Sequence, residues 1–205
     1  MSATIIIVLL TVGVSFYAWN NPSQLSRWTM NPVRITRHRE YERFIMSGFI
    51  HQDYMHLFFN MLTLYSFGEY IEQIYSAAGY NGGLMFGILY LLGIVVADLP
   101  TYFKHKNDSG YESLGASGGV SAVVFAGIVF APTMPLYIML LLPIPGFIFA
   151  GLYLWYCSYM SRQSYGQGIN HDAHFYGSAF GAIFALLTVQ GAATNFVQQI
   201  LAWRF

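Results

Sequence analysis

Long apolar runs separated by short polar stretches set the pattern of this chain. A helix that crosses a bilayer needs roughly 20 mostly apolar residues. Six segments read as such helices, some only by including polar residues: about Ala3–Trp19, Tyr54–Tyr75, Asn81–Tyr102, Ser117–Ala131, Pro135–Met160 and His171–Gln190. The fourth is short for a full span, so it is expected to start below the membrane surface, with Ser117 inside the bilayer. The fifth contains Pro143 and Pro145. Proline removes a donor and clashes with the preceding turn, so that helix is predicted to begin near Gly146, with Met134–Pro145 as a loop or interfacial stretch.

The connections are uneven. The first, about Asn20–Asp53, holds Arg27, Arg34, Arg37, Arg39 and Arg43 among Trp28, Val33, Ile35, Tyr41, Phe44 and Ile45. It is too long for a bare turn, and its mixture fits a partly helical loop lying in the membrane interface. The stretch Phe103–Leu114 is polar and leads straight into Ser117. No internal repeat or low-complexity segment divides the chain, so residues 1–205 read as one domain.

Composition agrees with a lipid solvent. The 205 residues are 56% hydrophobic and 9% charged, with a mean hydropathy of +0.47. Average soluble domains carry about 25% charged residues, so charge this sparse cannot cover a water-facing surface. The formal net charge is zero, which argues against nucleic acid as a partner. The lone cysteine, Cys157, excludes an internal disulfide and reads as an apolar packing residue. The first apolar run lacks a basic flank and a clear small-residue cleavage site, and reads as a retained membrane helix.

Polar groups inside such spans are expensive, and they face water-filled cavities or one another. Ser117 sits in Gly115-Ala116-Ser117-Gly118-Gly119; His174 opens a later apolar run; His56 and Asn60 lie four apart on the second predicted helix. That spacing puts the last two about 40° apart on one face, one turn above the other. A serine nucleophile needs a base within hydrogen-bond reach and donors aimed at the oxyanion. Ser117 and His174 can supply nucleophile and base. His56, Asn60 and the Ser117 N–H, free at a helix start, can supply the donors. Gly115 and Gly118, lacking Cβ, would let a substrate backbone approach. Asp172 is too near His174 in sequence to orient it, so a two-residue dyad is the simpler reading.

In these motifs the chain resembles the rhomboid intramembrane serine proteases. The resemblance rests on Gly115–Gly118, on Ala173-His174 followed by Gly177 and Gly181, on His56-x-x-x-Asn60 with Gly68 and Glu72 continuing that spacing, and on Arg43 thirteen residues before His56. It implies an all-α, six-transmembrane-helix bundle of the basic bacterial type in the bacterial cell (inner) membrane. It also implies a Ser117–His174 dyad, with His56, Asn60 and the Ser117 N–H holding the oxyanion. Substrates would be transmembrane proteins, entering laterally between the second and fifth helices. Two positions depart from the family. Glu42 stands where a tryptophan often precedes the loop arginine, with Tyr41 before it. Ser121 stands where a tyrosine often stacks on the catalytic histidine, which leaves Tyr176 or an aromatic from another helix to hold His174.

Duller readings stand beside these. Gly115-x-x-x-Gly119 and Gly177-x-x-x-Gly181 can be helix-packing seams, and Gly177 and Gly181 are expected to bring the sixth helix close to the fourth. Glu69 and Glu72 read as helix-end or loop partners. His38, His51, His105 and His171 read as surface or interfacial. No cofactor and no metal are expected, since one cysteine and histidines without a close paired spacing make a poor ligand set. Two rival functions remain: a catalytically silent relative that binds membrane clients, and a small transporter relaying protons through His56 and His174, which leaves Gly115–Gly118 unexplained. Orientation is contested. The lysine and arginine excess puts the first loop in the cytoplasm, whereas the resemblance puts it, and the mouth of the site, on the outer face.

Overall fold

The computed structural model describes residues 1–138, 141–163 and 169–204. The chain is mostly helical. The helices are α1 (Ala3–Trp19), α2 (Pro22–Trp28), α3 (Pro32–His38), α4 (Arg43–Met46), α5 (Tyr54–Ala77), α6 (Gly82–His105), α7 (Ser117–Phe130), α8 (Gly146–Gln163), α9 (His171–Thr188) and α10 (Ala192–Ala202). All six predicted segments carry a helix: α1, α5, α6, α7, α8 and α9. Of these, α6 is long and apolar enough by itself to cross a membrane. Helices α9 and α10 meet that test only as a pair, bent by 109°, while α1 and α7 are shorter apolar helices.

Local chemistry sets the boundaries. Asp53, Asn81 and Asn170 cap α5, α6 and α9 by accepting from the N–H of His56, Leu84 and Ala173 at 2.8, 3.0 and 3.0 Å, which satisfies donors that a helix start leaves open. As the prolines require, α8 begins at Gly146. The stretch before it is more ordered than a loop. Strands β1 (Pro135–Ile138) and β2 (Leu142–Pro145) pair antiparallel with Pro135 opposite Pro145. Proline cannot continue a helix but tolerates a two-stranded edge, so the same residues that bar the helix permit the hairpin.

The first loop is partly helical, as its composition predicts, and α2, α3, α4 and a short 3₁₀ turn at Ser47–Phe49 make it a folded layer. Arg43 anchors it. The side chain is 1% exposed, donates to the carbonyls of Ser26 and Thr29 at 2.8 and 2.5 Å, and pairs with Glu40 at 2.6 Å. Arg34 grips the same carboxylate at 2.7 Å, and its hydrogen bond, joined by that of Arg43, holds Glu40 down at about 2. The missing tryptophan is therefore not needed: Tyr41 is exposed, and Glu42 pairs loosely with Arg27. Backbone bonds between Met30 and Ser113 tie this layer to the stretch that leads into Ser117.

At the centre stands α7, packed by α5, α6 and α9. All its residues except Ser117 and Val124 are buried. Its 14 residues span about 21 Å, against roughly 30 Å of bilayer hydrocarbon. Glycines let α9 approach: a Cβ on Gly177 or Gly181 would overlap the carbonyl oxygen of Gly118 or Ala122. The predicted close approach of these two helices is thus a backbone-to-backbone contact. At the opposite end, Glu72 receives the N–H groups of Ala3 and Thr4 and the Thr4 hydroxyl, and Glu69 receives Ser2. Both glutamates are helix-end partners, as read from the sequence, and they clamp α1 to α5.

Candidate functional site

The start of α7 fixes Ser117. Gly115 has a φ of +125°, which favours glycine, and its N–H bonds the Ser47 carbonyl at 2.9 Å. A side chain there would also strike the His56 ring, whose Cε1 and Nε2 lie 2.6 and 2.9 Å from the position a Cβ would take. Gly118 faces away, toward Ala97 and Ala173, and serves packing with α6 and α9. The Val120 N–H bonds Ala116 at 2.9 Å as the first intrahelical bond. The N–H groups of Ser117, Gly118 and Gly119 therefore have no intrahelical carbonyl and form an open donor set.

Ser117, His174, His56 and Asn60 line one cavity of about 490 Å³. α5 and α8 both contribute to its wall, through residues such as Phe59 and Phe149. Asn60 is buried and donates one amide N–H to the His56 carbonyl at 3.1 Å, which leaves its second N–H available. Ser117 and His174 are half-buried, and among the described residues no hydrogen bond joins them. Catalytic hydrogen bonds are often loose without substrate and tighten only in the complex. Asp172 is engaged elsewhere, with Lys104 at 2.7 Å and with Ser161, so it ties α6, α8 and α9 together and does not orient His174.

An aromatic from another helix does hold His174. Tyr153 on α8 stacks on its ring, with centroids 6.3 Å apart and planes within 21°. Its hydroxyl lies 3.5 Å from Ser121 Oγ, at the outer limit of a hydrogen bond. Stacking on His174, which Ser121 cannot provide, thus comes from α8, and the hydroxyl of the same tyrosine reaches Ser121. Tyr176 is exposed and meets Phe175 edge to face instead. Sequence spacing could not find Tyr153, because α8 and α9 are brought side by side only by the fold.

Three of the four histidines read as surface or interfacial are buried. His51 is fully buried. Its Nε2 accepts the Ala116 N–H at 3.4 Å, so Nδ1 carries the proton and donates to Ser15 Oγ at 3.1 Å; that hydroxyl in turn donates to the Phe49 carbonyl. Burial, reinforced by nearby His56, pushes His51 down to about 3. It therefore stays neutral and bolts α1 to the residue preceding Ser117. His171 is 5% exposed, and His105 is buried against Tyr111; only His38 is on the surface. Burial was invisible because His105 and His171 sit at helix ends and His51 in the loop before α5, where linear hydropathy falls. Although chain spacing shows no metal set, the fold also places ligand atoms of Cys157, His171 and His174 within 4.8 Å of one another.

The Rhomboid domain family model matches residues 38–191, three quarters of the chain, and these include Ser117, His174, His56, Asn60, Tyr153 and His51. The chain belongs to the rhomboid family. As a rhomboid it is a membrane protein. It is also similar to the RHOMBOID-like protein 12, mitochondrial, of Arabidopsis thaliana, at 26% identity over 148 residues, 68% of this chain and 44% of the relative. It thus spans less than half the length of that relative. The relative's name places that protein in mitochondria, and the expectation of a bacterial cell membrane finds no support in it.

Proposed function

We propose that this rhomboid is an intramembrane serine endopeptidase that cuts peptide bonds in or near the transmembrane segments of other membrane proteins. The observation that carries this reading is the convergence of Ser117, His174, His56 and Asn60 on one cavity, although they come from three helices. Ser117 Oγ attacks the scissile carbonyl while His174 takes its proton, which gives a tetrahedral oxyanion. His174 then passes that proton to the leaving amine as the C–N bond breaks, and a covalent acyl-enzyme remains. Water attacks the ester with His174 again as base, which frees Ser117. The Ser117 N–H, Asn60 and His56 stabilise the oxyanion in both steps, as preorganised donors are most effective where water is excluded.

The rest of the expected arrangement belongs to the same proposal. The six helices would each cross or dip into the bilayer, with α7 stopping short so that the serine lies below the surface. A substrate segment would enter between α5 and α8, the walls of the cavity. Residues 1–205 would act as one domain, since α1 packs on α5 and α6, and α10 packs on α7 and α9. The outer-face orientation gains support from the first loop: Arg43 is buried, and Arg27 and Arg34 are paired, which weakens the charge bias. A cysteine placed in that loop of a Cys157→Ser chain should react with a membrane-impermeant thiol reagent in intact cells. Reaction only after lysis would reverse the orientation.

The decisive experiment uses purified protein and a fluorophosphonate probe. Labelling of the parent and none of Ser117→Ala, together with cleavage of a reporter membrane substrate by the parent alone, is the expected result. Substrate capture without labelling or cleavage would instead establish the client-binding reading.

A further inference from the structure

Cys157, His171 and His174 form a cluster that the proposed reaction does not use as a unit. Cys157 is fully buried on α8, one turn beyond Tyr153. His171 opens α9, one turn before His174, so the two imidazoles share a face of that helix. The two histidine rings stand edge to face with centroids 6.0 Å apart. One ligand atom from each of the three residues lies within 4.8 Å of the other two.

A lone buried cysteine beside a histidine would ordinarily be packing. Here a second observation points to a ligand. His171 is 5% exposed, and its Nδ1 is buried without a hydrogen-bond partner. A buried ring nitrogen left unpaired costs desolvation energy that nothing in the protein offsets. A cation bound through Nδ1 would satisfy it.

We propose that Cys157, His171 and His174 bind a thiophilic divalent cation of the zinc type, and that its binding inhibits the enzyme by occupying the base. One thiolate and two imidazoles, with a fourth position left for water, are a ligand set that Zn²⁺ accepts. With bonds of about 2.0–2.3 Å, tetrahedral ligands stand roughly 3.3–3.6 Å apart, so the cluster needs to tighten by at most about 1.5 Å, within reach of side-chain rotation. Binding moves the Cys157 S–H proton to solvent, while His171 and His174 coordinate as neutral rings through their lone pairs. His174 also lines the cavity, which gives an ion a path inward. A coordinated His174 has no lone pair left to take the Ser117 proton. The inhibition rests on the protease reading; the ion binding does not.

The test separates the two. Cd²⁺ is titrated into the purified full chain while the ultraviolet thiolate-to-cadmium charge-transfer band is followed. One equivalent should produce the band. Cys157→Ser and Cys157→Ala should both lack it, and His171→Gln should need at least about tenfold more metal. Melting curves establish that each variant is folded. In parallel, Zn²⁺ should block fluorophosphonate labelling and cleavage by the parent, reversibly on chelation, while the Cys157 variants stay active and need at least about tenfold more Zn²⁺ for the same inhibition. Absence of the band in the parent, or equal Zn²⁺ sensitivity in the parent and both Cys157 variants, would overturn the proposal. A band in a parent that neither labels nor cleaves would uphold the ion site and overturn the protease reading.

Discussion

Helices α7 and α8 are neighbours that meet the rest of the molecule in opposite ways. On α7 every side chain but Ser117 and Val124 is buried, and α9 lies against it backbone to backbone at Gly177 and Gly181. On α8 only Gly146 and Cys157 are buried, and the helix packs mainly along α9. The proposed nucleophile therefore sits on the most constrained element of the fold, while Tyr153, which stacks on the proposed base, sits on one of the least constrained. The difference matches two requirements of the proposed reaction on membrane substrates. The serine and the proposed oxyanion donors must hold their geometry to well within an ångström. One wall of the cavity must nevertheless be able to yield to an incoming chain, and α8 is the wall with little to lose by moving.

That contrast sets the expected size of each perturbation. The largest effect belongs to the α7 start. Ser117→Ala should lower cleavage by at least about 10⁴-fold while leaving the thermal midpoint close to the parent's, and His174→Ala combined with it should be no worse, because the pair acts as a unit. Cleavage near the parent's rate by Ser117→Ala would refute the assignment. Next come the donors on α5. Asn60→Ala should reduce kcat about 10²–10³-fold with a smaller change in KM, measured on a reporter substrate. An unchanged kcat with a raised KM would make Asn60 a substrate-binding group.

Glycine substitutions compare the α7–α9 contact with α8. Gly181→Val forces a side chain into the Ala122 carbonyl and should destabilise the protein by about 1–3 kcal/mol or more. Gly151→Val on α8 meets open space and should change stability by no more than about 0.5 kcal/mol. Equal losses in thermal unfolding would mean that α8 is held as firmly as α7. Tyr153→Ala should slow turnover about tenfold, since an aromatic pair contributes roughly 0.5–1.5 kcal/mol, and Tyr153→Phe should retain most of the activity because the stacked ring persists. Full activity in Tyr153→Ala would leave His174 held without it.

The smallest expected effect is on acid stability. His51 and Glu40 are both depressed in the folded state, to about 3 and about 2, from ordinary values of 6.5 and 4.5. Between each pair of values the unfolded chain binds more protons than the folded one, so stability falls as pH falls. His51 contributes from about pH 6.5 downward, and Glu40 from about 4.5 toward 2. The midpoint of His51→Gln should therefore decline less steeply than the parent's between pH 6.5 and 4.5. Identical slopes would show that His51 is not the neutral bolt its hydrogen bonds describe.

The sequence by itself determined the parts whose signals are local. Apolar runs placed six helices, prolines 143 and 145 set the start of α8, and Gly115–Gly118, His56-x-x-x-Asn60 and His174 marked one site, because helix periodicity and the rarity of polar groups in lipid leave traces along the chain. The tertiary structure decided what depends on which helices become neighbours. It stacked Tyr153 on His174, buried His51 behind Ser117, bonded Arg43 to carbonyls 14 and 17 residues away, and gathered Cys157 with His171 and His174. Hydrophobic burial drives such association but carries no direction. Where the chain is apolar on every face, partner choice falls to glycine gaps and a few buried polar bonds, and these have meaning only once the helices have met.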